Sequence, residues 1–388
     1  MKSRRTFLAG TSALAAAATP LAGFAQQPFT ATATLAAIGP LSGPARRAGE
    51  QMVNGARAAI DEANRVRTTF DKALALRTFD DQNEVASAIV NGRFAIDDTS
   101  IIGIIGHLGG YTTDSLVRDY AANGVPVIVP ASTLDAITSH GYRNVFRLPT
   151  KDSSEGDLFA QAIIAQQGGK PKSAHVLVQD GDYGTNVARA FYQRVGSNGI
   201  DVKMSVFPWE HPDFARVAET VVATKPEYVF LAGTATDMGG VVPALRVAGY
   251  AGPLGASQGF FDALTLTKFA KEAEGLMVSS SMPPLALVPE AFQIQSEYEH
   301  RYGSLTPVAA FAYAATQIYI KIIRRSGAAV RNAVLSSLQT PIPSDTIVGS
   351  FTFSATGDPT DPNLYFYTAK DGRWSYQRAA HPASFLIK

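Results

Sequence analysis

Residues 101–105 read Ile101-Ile102-Gly103-Ile104-Ile105, a run that is apolar on both of its faces. A strand with one wet face alternates apolar with polar residues. A run without alternation predicts a strand covered on both sides, as in a parallel sheet flanked by helices. The flanking sequence agrees. Thr34–Ile38 reads as a strand stopped by Gly39-Pro40, and Met52, Ala56, Ala59, Ile60 and Ala63 recur at helical spacing on one face. Leu74–Phe79 reads as a strand and Glu84–Asp97 as a helix. Beyond residue 105, a helix from about Thr112 to Ala122 leads to a strand, Val125–Val129, closed by Pro130.

The same rhythm restarts downstream. Strands are predicted at His175–Gln179, Val202–Phe207 and Tyr228–Leu231, with helices at Thr185–Ser197, Phe214–Thr224 and Met238–Val247. Two groups of βα units predict an α/β fold of two doubly wound parallel-sheet lobes. Alternation stops after Met277–Ser279. Two helices, Glu290–Tyr302 and Pro307–Arg325, follow nearly end to end. The chain closes with Gly349–Phe353 and an aromatic hairpin, Asn363–Thr368 with Trp374–Gln377. An α/β chain that stops alternating has crossed back to cover an earlier sheet. Crossings are expected near Pro149, Ser280 and Val348, giving one lobe of residues 28–149 plus 281–348 and another of 150–280 plus 349–388. Three crossings make a hinge with a cleft between the lobes.

The first residues carry an address. Lys2, Arg4 and Arg5 precede an apolar, alanine-rich stretch, Phe7–Ala18, and Gly23-Phe24-Ala25 resembles a signal-peptidase site. Residues 1–25 are expected to be an export signal. Ser3-Arg4-Arg5-Thr6-Phe7-Leu8 also resembles the twin-arginine signal, while an ordinary secretory signal carrying adjacent arginines reads the same way. The apolar stretch falls short of the roughly 20 residues of a membrane span. Without Lys2, Arg4 and Arg5, the 34 basic residues become 31 against 33 acidic ones, a net charge of −2. Such a surface has no electrostatic reason to seek nucleic acid or anionic lipid. The chain has no cysteine, which excludes disulfides, thiolate catalysis and cysteine metal sites.

In parallel sheets ligands lie beyond the carboxyl ends of strands. That rule selects residues 41–47, 107–112 and 130–133 from the first lobe. From the second it selects residues 180–184, 233–237 and 256–259. Each loop is small, polar or aromatic, and each alone also reads as an ordinary turn with a capping serine or threonine.

Several of these loops carry a resemblance. Gly39-Pro40-Leu41-Ser42-Gly43-Pro44, Gly106-His107-Leu108 and Val129-Pro130-Ala131-Ser132-Thr133 resemble those of the leucine/isoleucine/valine-binding protein family. So do Asp180-x-x-Tyr183-Gly184, Glu274-Gly275-Leu276 and Phe351-x-Phe353 with Gly357-Asp358. Members are periplasmic receptors of ABC importers with the type I, Venus-flytrap fold, and the similarity spans about Thr30 to Gln377. The resemblance implies a monomer that takes no cofactor. It would capture a small polar solute, an amino acid or a related carboxylate or amide. It would then dock on a membrane permease served by separate ATPase chains.

The resemblance also implies site residues. Gly110, Ala131, Ser132 and Thr133 match the loops that hold a ligand carboxylate, with Ser42 and Tyr111 beside them. Asp152 matches an aspartate near the ligand ammonium, and Tyr183 a tyrosine that closes from the second lobe. Thr234 stands where an aromatic residue is frequent. Gln258 stands where amino-acid-binding members carry a glutamate. Arg46 and Arg47 are further donors that suit an extra carboxylate, or else lie on the rim in water. The positions of a disulfide found in some members are Asn83 and Gly109, so both ends of that bridge are absent here. These departures predict an acid or amide ligand rather than a neutral amino acid.

One rival reading is an exported hydrolase. Gly255-Ala256-Ser257-Gln258-Gly259 satisfies the nucleophile-elbow pattern G-x-S-x-G, with Asp361 and His381 following in a suitable order. Metal binding has less support. No two of the six histidines stand four residues apart, and His107 on its glycine turn reads as a hydrogen-bonded loop residue. No phosphate-binding G-x-x-x-x-G-K-[ST] occurs.

Overall fold

The computed structural model describes residues 31–67, 72–165, 169–208, 212–289, 291–362 and 364–380. The expected signal, Asn363 and His381 lie outside the described residues. Strands β1 (Ala31–Gly39), β2 (Lys72–Asp80), β3 (Ile101–Gly106), β4 (Val127–Val129) and β5 (Val145–Arg147) form one sheet. Its order is β2-β1-β3-β4-β5, with every neighbour parallel. Strands β6 (Ser173–Gln179), β7 (Asp201–Phe207), β8 (Tyr228–Ala232), β9 (Leu254–Ala256) and β10 (Met277–Ser280) repeat that permutation as β7-β6-β8-β9-β10. A separate antiparallel pair follows, β11 (Ser344–Thr346) with β12 (Gly349–Phe351). The hairpin β13 (Tyr365–Lys370) and β14 (Arg373–Ala379) then extends the second sheet antiparallel from β10. The fold is thus two doubly wound α/β lobes. Both sheets reverse their winding beside the first strand of the lobe, which turns the carboxyl ends of the strands into a crevice.

The helix Pro307–Ser326 shows how sequence sets an element. Thr306 caps it, its hydroxyl accepting from Ala309 N, Pro307 fills the first turn, and Gly327 ends it in the left-handed region at φ 66°. Thirteen of its twenty residues are buried in the first-lobe core. Its Tyr319 explains the glycine inside the apolar run. A Cβ at Gly103 would lie 2.5 Å from the Tyr319 ring, whose hydroxyl donates to Ile104 O (2.8 Å) and Pro126 O (3.1 Å). The phenol therefore reaches the backbone between β3 and β4, and a side chain at position 103 would block it.

Three sequence expectations are corrected. The helix expected over Thr112–Ala122 is two pieces, Gly110–Asp114 and Val117–Ala122. Ser115 stands between them, its hydroxyl bonded back to Thr112 O at 3.0 Å, a local bond that competes with the helix ladder. The helix over Met238–Val247 splits at Gly239-Gly240 into Ala235–Met238 and Val241–Val247, since paired glycines are poor helix formers. The third crossing is later than Val348. Phe351 and Phe353 are buried in the first-lobe core, Phe353 packing on Phe146 with ring centroids 5.1 Å apart, and the chain enters the second-lobe core at Leu364.

A buried cation holds that late segment to the first lobe. Arg147 is 0% exposed, and its Nε donates to Asp358 Oδ1 at 3.0 Å while Nη1 donates to Leu134 O at 2.6 Å. Arg147 N also donates to Gly357 O at 2.9 Å. Replacing Arg147 by methionine keeps the volume but strips Asp358 and Leu134 of their shared donor. Urea unfolding of Arg147→Met is expected to show a loss of about 3 kcal/mol. A loss under about 0.5 kcal/mol would mean that the pair does not anchor the crossing.

Candidate binding site

The first-lobe loops converge as their strand order requires. A Cβ at Gly110 would lie 3.0 Å from Leu134 Cβ and 3.4 Å from Ser132 Oγ, so residues 110 and 132–134 share one wall. Gly110 begins a helix turn, and the first N–H groups of a helix have no partner within it. Thr133 joins this wall to the hinge. Its carbonyl accepts from Asp152 N at 3.0 Å, and its hydroxyl bonds the Asp152 carboxylate. At the foot of the loop, Asn83 Oδ1 would lie 2.2 Å from a Cβ at Gly109, so the two positions matched to the missing disulfide are neighbours.

Asp152 is 1% exposed, and its Oδ1 has no hydrogen-bond partner, while Oδ2 has the Asn186 amide at 3.5 Å. Burial pushes this carboxyl up to about 7, with the Thr133 bond opposing and the charges of Glu155 and Asp135 adding. It lies between a first-lobe loop and the first turns of the second-lobe helix Asp182–Ser197.

One helical turn further on, Glu155 is fully buried, a residue the sequence reading passed over. Its carboxylate accepts from Gln258 N (2.5 Å), Gln258 Nε2 (2.9 Å), Ser279 Oγ (2.6 Å) and the Tyr183 hydroxyl (3.3 Å). Tyr183 in turn accepts from Gly259 N at 3.0 Å. Burial raises the Glu155 carboxyl above its ordinary range, and the four donors oppose that rise. Burial, then the Glu155 charge, drives the Tyr183 phenol well above its own. Gln258 Oε1 accepts from Ser281 Oγ (3.0 Å), and Ser281 Oγ accepts from Thr150 N (3.0 Å). Two of the residues singled out from sequence, Tyr183 and Gln258, therefore meet at one buried carboxylate. The signal for Glu155 was present: Asp152-Ser153-Ser154-Glu155 before Leu158-Phe159-Ala160 is a helix start with acids in the first turn.

Other singled-out residues have local partners. The Ser42 hydroxyl donates to Asp80 Oδ2 at 2.6 Å, and Thr234 caps the short helix Ala235–Met238. Arg46 pairs with Glu50 at 2.7 Å, and both Arg46 and Arg47 are exposed on the first turn of the helix Arg46–Val66. Tyr111, exposed, donates its hydroxyl to Asp182, a bond from one lobe to the other. Ala131 sits half-buried in the loop after β4.

The hydrolase expectation fails here. Ser257 is 0% exposed. Its hydroxyl donates to Gly233 O (2.9 Å) and accepts from Gly233 N (3.0 Å), so it stitches two loops. Its backbone, φ −67° and ψ 168°, is relaxed and extended, unlike a strained elbow. His107 is held between Asp81 (2.7 Å) and the Tyr120 hydroxyl (2.8 Å), all three buried. Among the described residues no cluster of three histidine, cysteine or acidic side chains is placed to hold a metal. No described helix is long and apolar enough to cross a membrane.

Asp152 makes stability depend on pH. Its carboxyl titrates near 3.8 when unfolded and near 7 when folded, so the folded state keeps a proton the unfolded state has lost. Its contribution is complete below about pH 4 and is lost as pH rises through about 7. Asp152→Asn is expected to flatten the fall in stability over that range by roughly 1–3 kcal/mol, read from thermal or urea unfolding across pH. Glu155 shifts in the same direction and keeps part of the slope. An unchanged slope would show that Asp152 is solvated in solution.

Comparison with known proteins closes the assignment of family. The sequence model of the periplasmic binding proteins matches residues 32–373. A Leu/Ile/Val-binding protein homolog of Brucella melitensis is 26% identical over 360 residues, covering 90% of this chain and 95% of that one. The solved leucine-binding protein of Thermotoga maritima superposes with a TM-score of 0.79 at 21% identity, over 90% of this chain and 99% of that one. A solute-binding protein of an ABC transporter from R. palustris, solved with benzoate, gives a TM-score of 0.76 at 18% identity, over 90% and 97%. The chain belongs to the periplasmic binding protein family.

Proposed function

We propose that this chain is the extracytoplasmic receptor of an ABC importer and captures a small solute bearing a carboxylate between its two lobes. The first lobe takes residues to 149, then 281 to about 358. The second takes 150–280 and the chain from Leu364. The ligand carboxylate meets the Gly110, Ala131 and Thr133 wall, and closure brings Tyr183 and Gln258 against its other end. Closure is stabilised only by contacts the ligand makes better in the closed state. The permease and its ATPases supply the energy, and the receptor itself turns nothing over.

The observation that carries the choice of ligand is Gln258. An ammonium needs an anionic acceptor. Gln258 offers an amide whose N–H is directed by Glu155 and whose carbonyl already serves Ser281. That end of the site suits a carboxylate without an ammonium, or an amide. A specific observation favours a second reading. The unpartnered Oδ1 of Asp152 is an anionic acceptor beside the Thr133 wall, and an amino acid ammonium would satisfy it.

Titration calorimetry with benzoate, benzamide and leucine separates the two. Benzoate is expected to bind about tenfold or more tightly than leucine, since a hydrogen bond to a charged group contributes on the order of 1.5–3 kcal/mol. Small-angle scattering should show compaction at saturation. Micromolar leucine binding that weakens in Asp152→Asn would install the amino acid reading. A scattering profile unmoved by any saturating ligand would overturn capture by closure.

A further inference from the structure

We propose that Glu155 is a positioning residue that decides which side chain position 258 can carry, and through it which end of a ligand the second lobe recognises. This rests on the reading above, in which Gln258 faces the solute. Glu155 is 0% exposed and sits behind Gln258, bonded to both its backbone N–H and its side-chain amide.

The chemistry of the pair is one-sided. An ionised carboxylate only accepts, so the amide of Gln258 must turn its NH2 toward Glu155 and its carbonyl toward Ser281. The orientation of that amide is fixed by Glu155. A carboxylate at position 258 would instead put its oxygen about 3 Å from that of Glu155 in a buried site, where two like charges cannot both persist. Among the described residues, the leading influences on the Glu155 carboxyl are burial and its four donors, with no cation among them. The titratable groups that act on the pair are Asp152 on the same helix and Tyr183 on the facing one, neither of them cationic. The single negative charge of this wall therefore lies behind it at 155, and the face at 258 stays neutral. Exchanging the two side chains would keep the bond between 155 and 258, with its direction reversed, at the cost of the Tyr183 donation to 155, and would bring the charge to the face.

Four proteins test this: wild type, Gln258→Glu, Glu155→Gln and the exchange Glu155→Gln/Gln258→Glu. Each is melted without ligand at neutral pH and titrated with leucine and with benzoate. Gln258→Glu alone is expected to melt well below wild type, and the exchange to recover most of that loss. The exchange should also shift the leucine-to-benzoate affinity ratio toward leucine by about tenfold or more. A merely structural role for Glu155 would weaken both probes together and leave the ratio alone. Gln258→Glu melting with wild type, or an exchange that recovers stability while moving the ratio less than about twofold, would overturn the proposal. If neither probe binds any of the four, the ligand assignment falls, and the melting cycle alone still decides whether 155 and 258 are coupled.

Discussion

A carboxylate removed from water must be met by donors, and the cleft of this protein is organised around one that is. Leaving the Glu155 oxygens unpaired would cost several kcal/mol. Four donors come from three places in the sequence: the Tyr183 hydroxyl, the Gln258 backbone and amide, and the Ser279 hydroxyl. Satisfying one buried anion thereby fixes the loop after β9, the end of β10 and the start of the Asp182–Ser197 helix against the helix Asp152–Ile164. Those are the second-lobe segments that line the crevice. Their geometry follows from a charge-neutralisation requirement, which the complete burial of Glu155 makes strict.

The same network reaches the hinge. Ser281 bonds both Gln258 and Thr150, so the first and second crossings are tied to each other and to the cleft wall. The third crossing is held differently, by Arg147 and Asp358 on the first lobe. In the proposed two-lobe reading, rotation of one lobe against the other is absorbed by short stretches near 149–151 and 281–283 and by the chain that follows Asp358. A ligand contact that moves Gln258 acts directly on two of these three. In the proposed reading, a site contact couples to closure in this way without a long relay.

The two groups of parallel strands were legible because buried parallel strands leave an apolar signature, as at Ile101–Ile105 and Tyr228–Leu231. The helix that matters most was not. Asp152–Ile164 buries Leu158, Phe159, Ala160, Ala162 and Ile163, nearly all round its circumference, so it shows no amphipathic stripe for periodicity to find. Its acidic first turn marks a helix start but says nothing of the donors that surround Glu155. Tyr183 and Gln258 were legible as positions, through resemblance. Their shared partner was not, because a pairing across 103 residues, Glu155 to Gln258, leaves no local trace. The third crossing was misplaced for a similar reason, since Phe351 and Phe353 look alike whichever lobe they enter. Ser257 was legible as a motif, and only its two bonds to Gly233 show that the motif is structural.

The balance of charge at the crevice narrows what a solute must do. Asp152 and Glu155 put two buried carboxyls at its floor, with Asp182 at its rim bonded to Tyr111 across the lobes. An exposed bond of that kind contributes about 0–1 kcal/mol, too little by itself to hold the lobes together. Shifting a two-state equilibrium from mostly open to mostly closed takes roughly 5 kcal/mol of differential binding. In the proposed reading the solute supplies it at the Gly110–Thr133 wall and the Gln258 wall together. A carboxylate gains donors at the first wall, yet it also approaches Asp152, whose raised pKa of about 7 lets it meet the anion as a neutral acid. Asp152 can therefore serve either ligand class, protonated against a carboxylate or ionised against an ammonium. Under the proposal, the choice falls to position 258, where the neighbouring Glu155 keeps the face neutral.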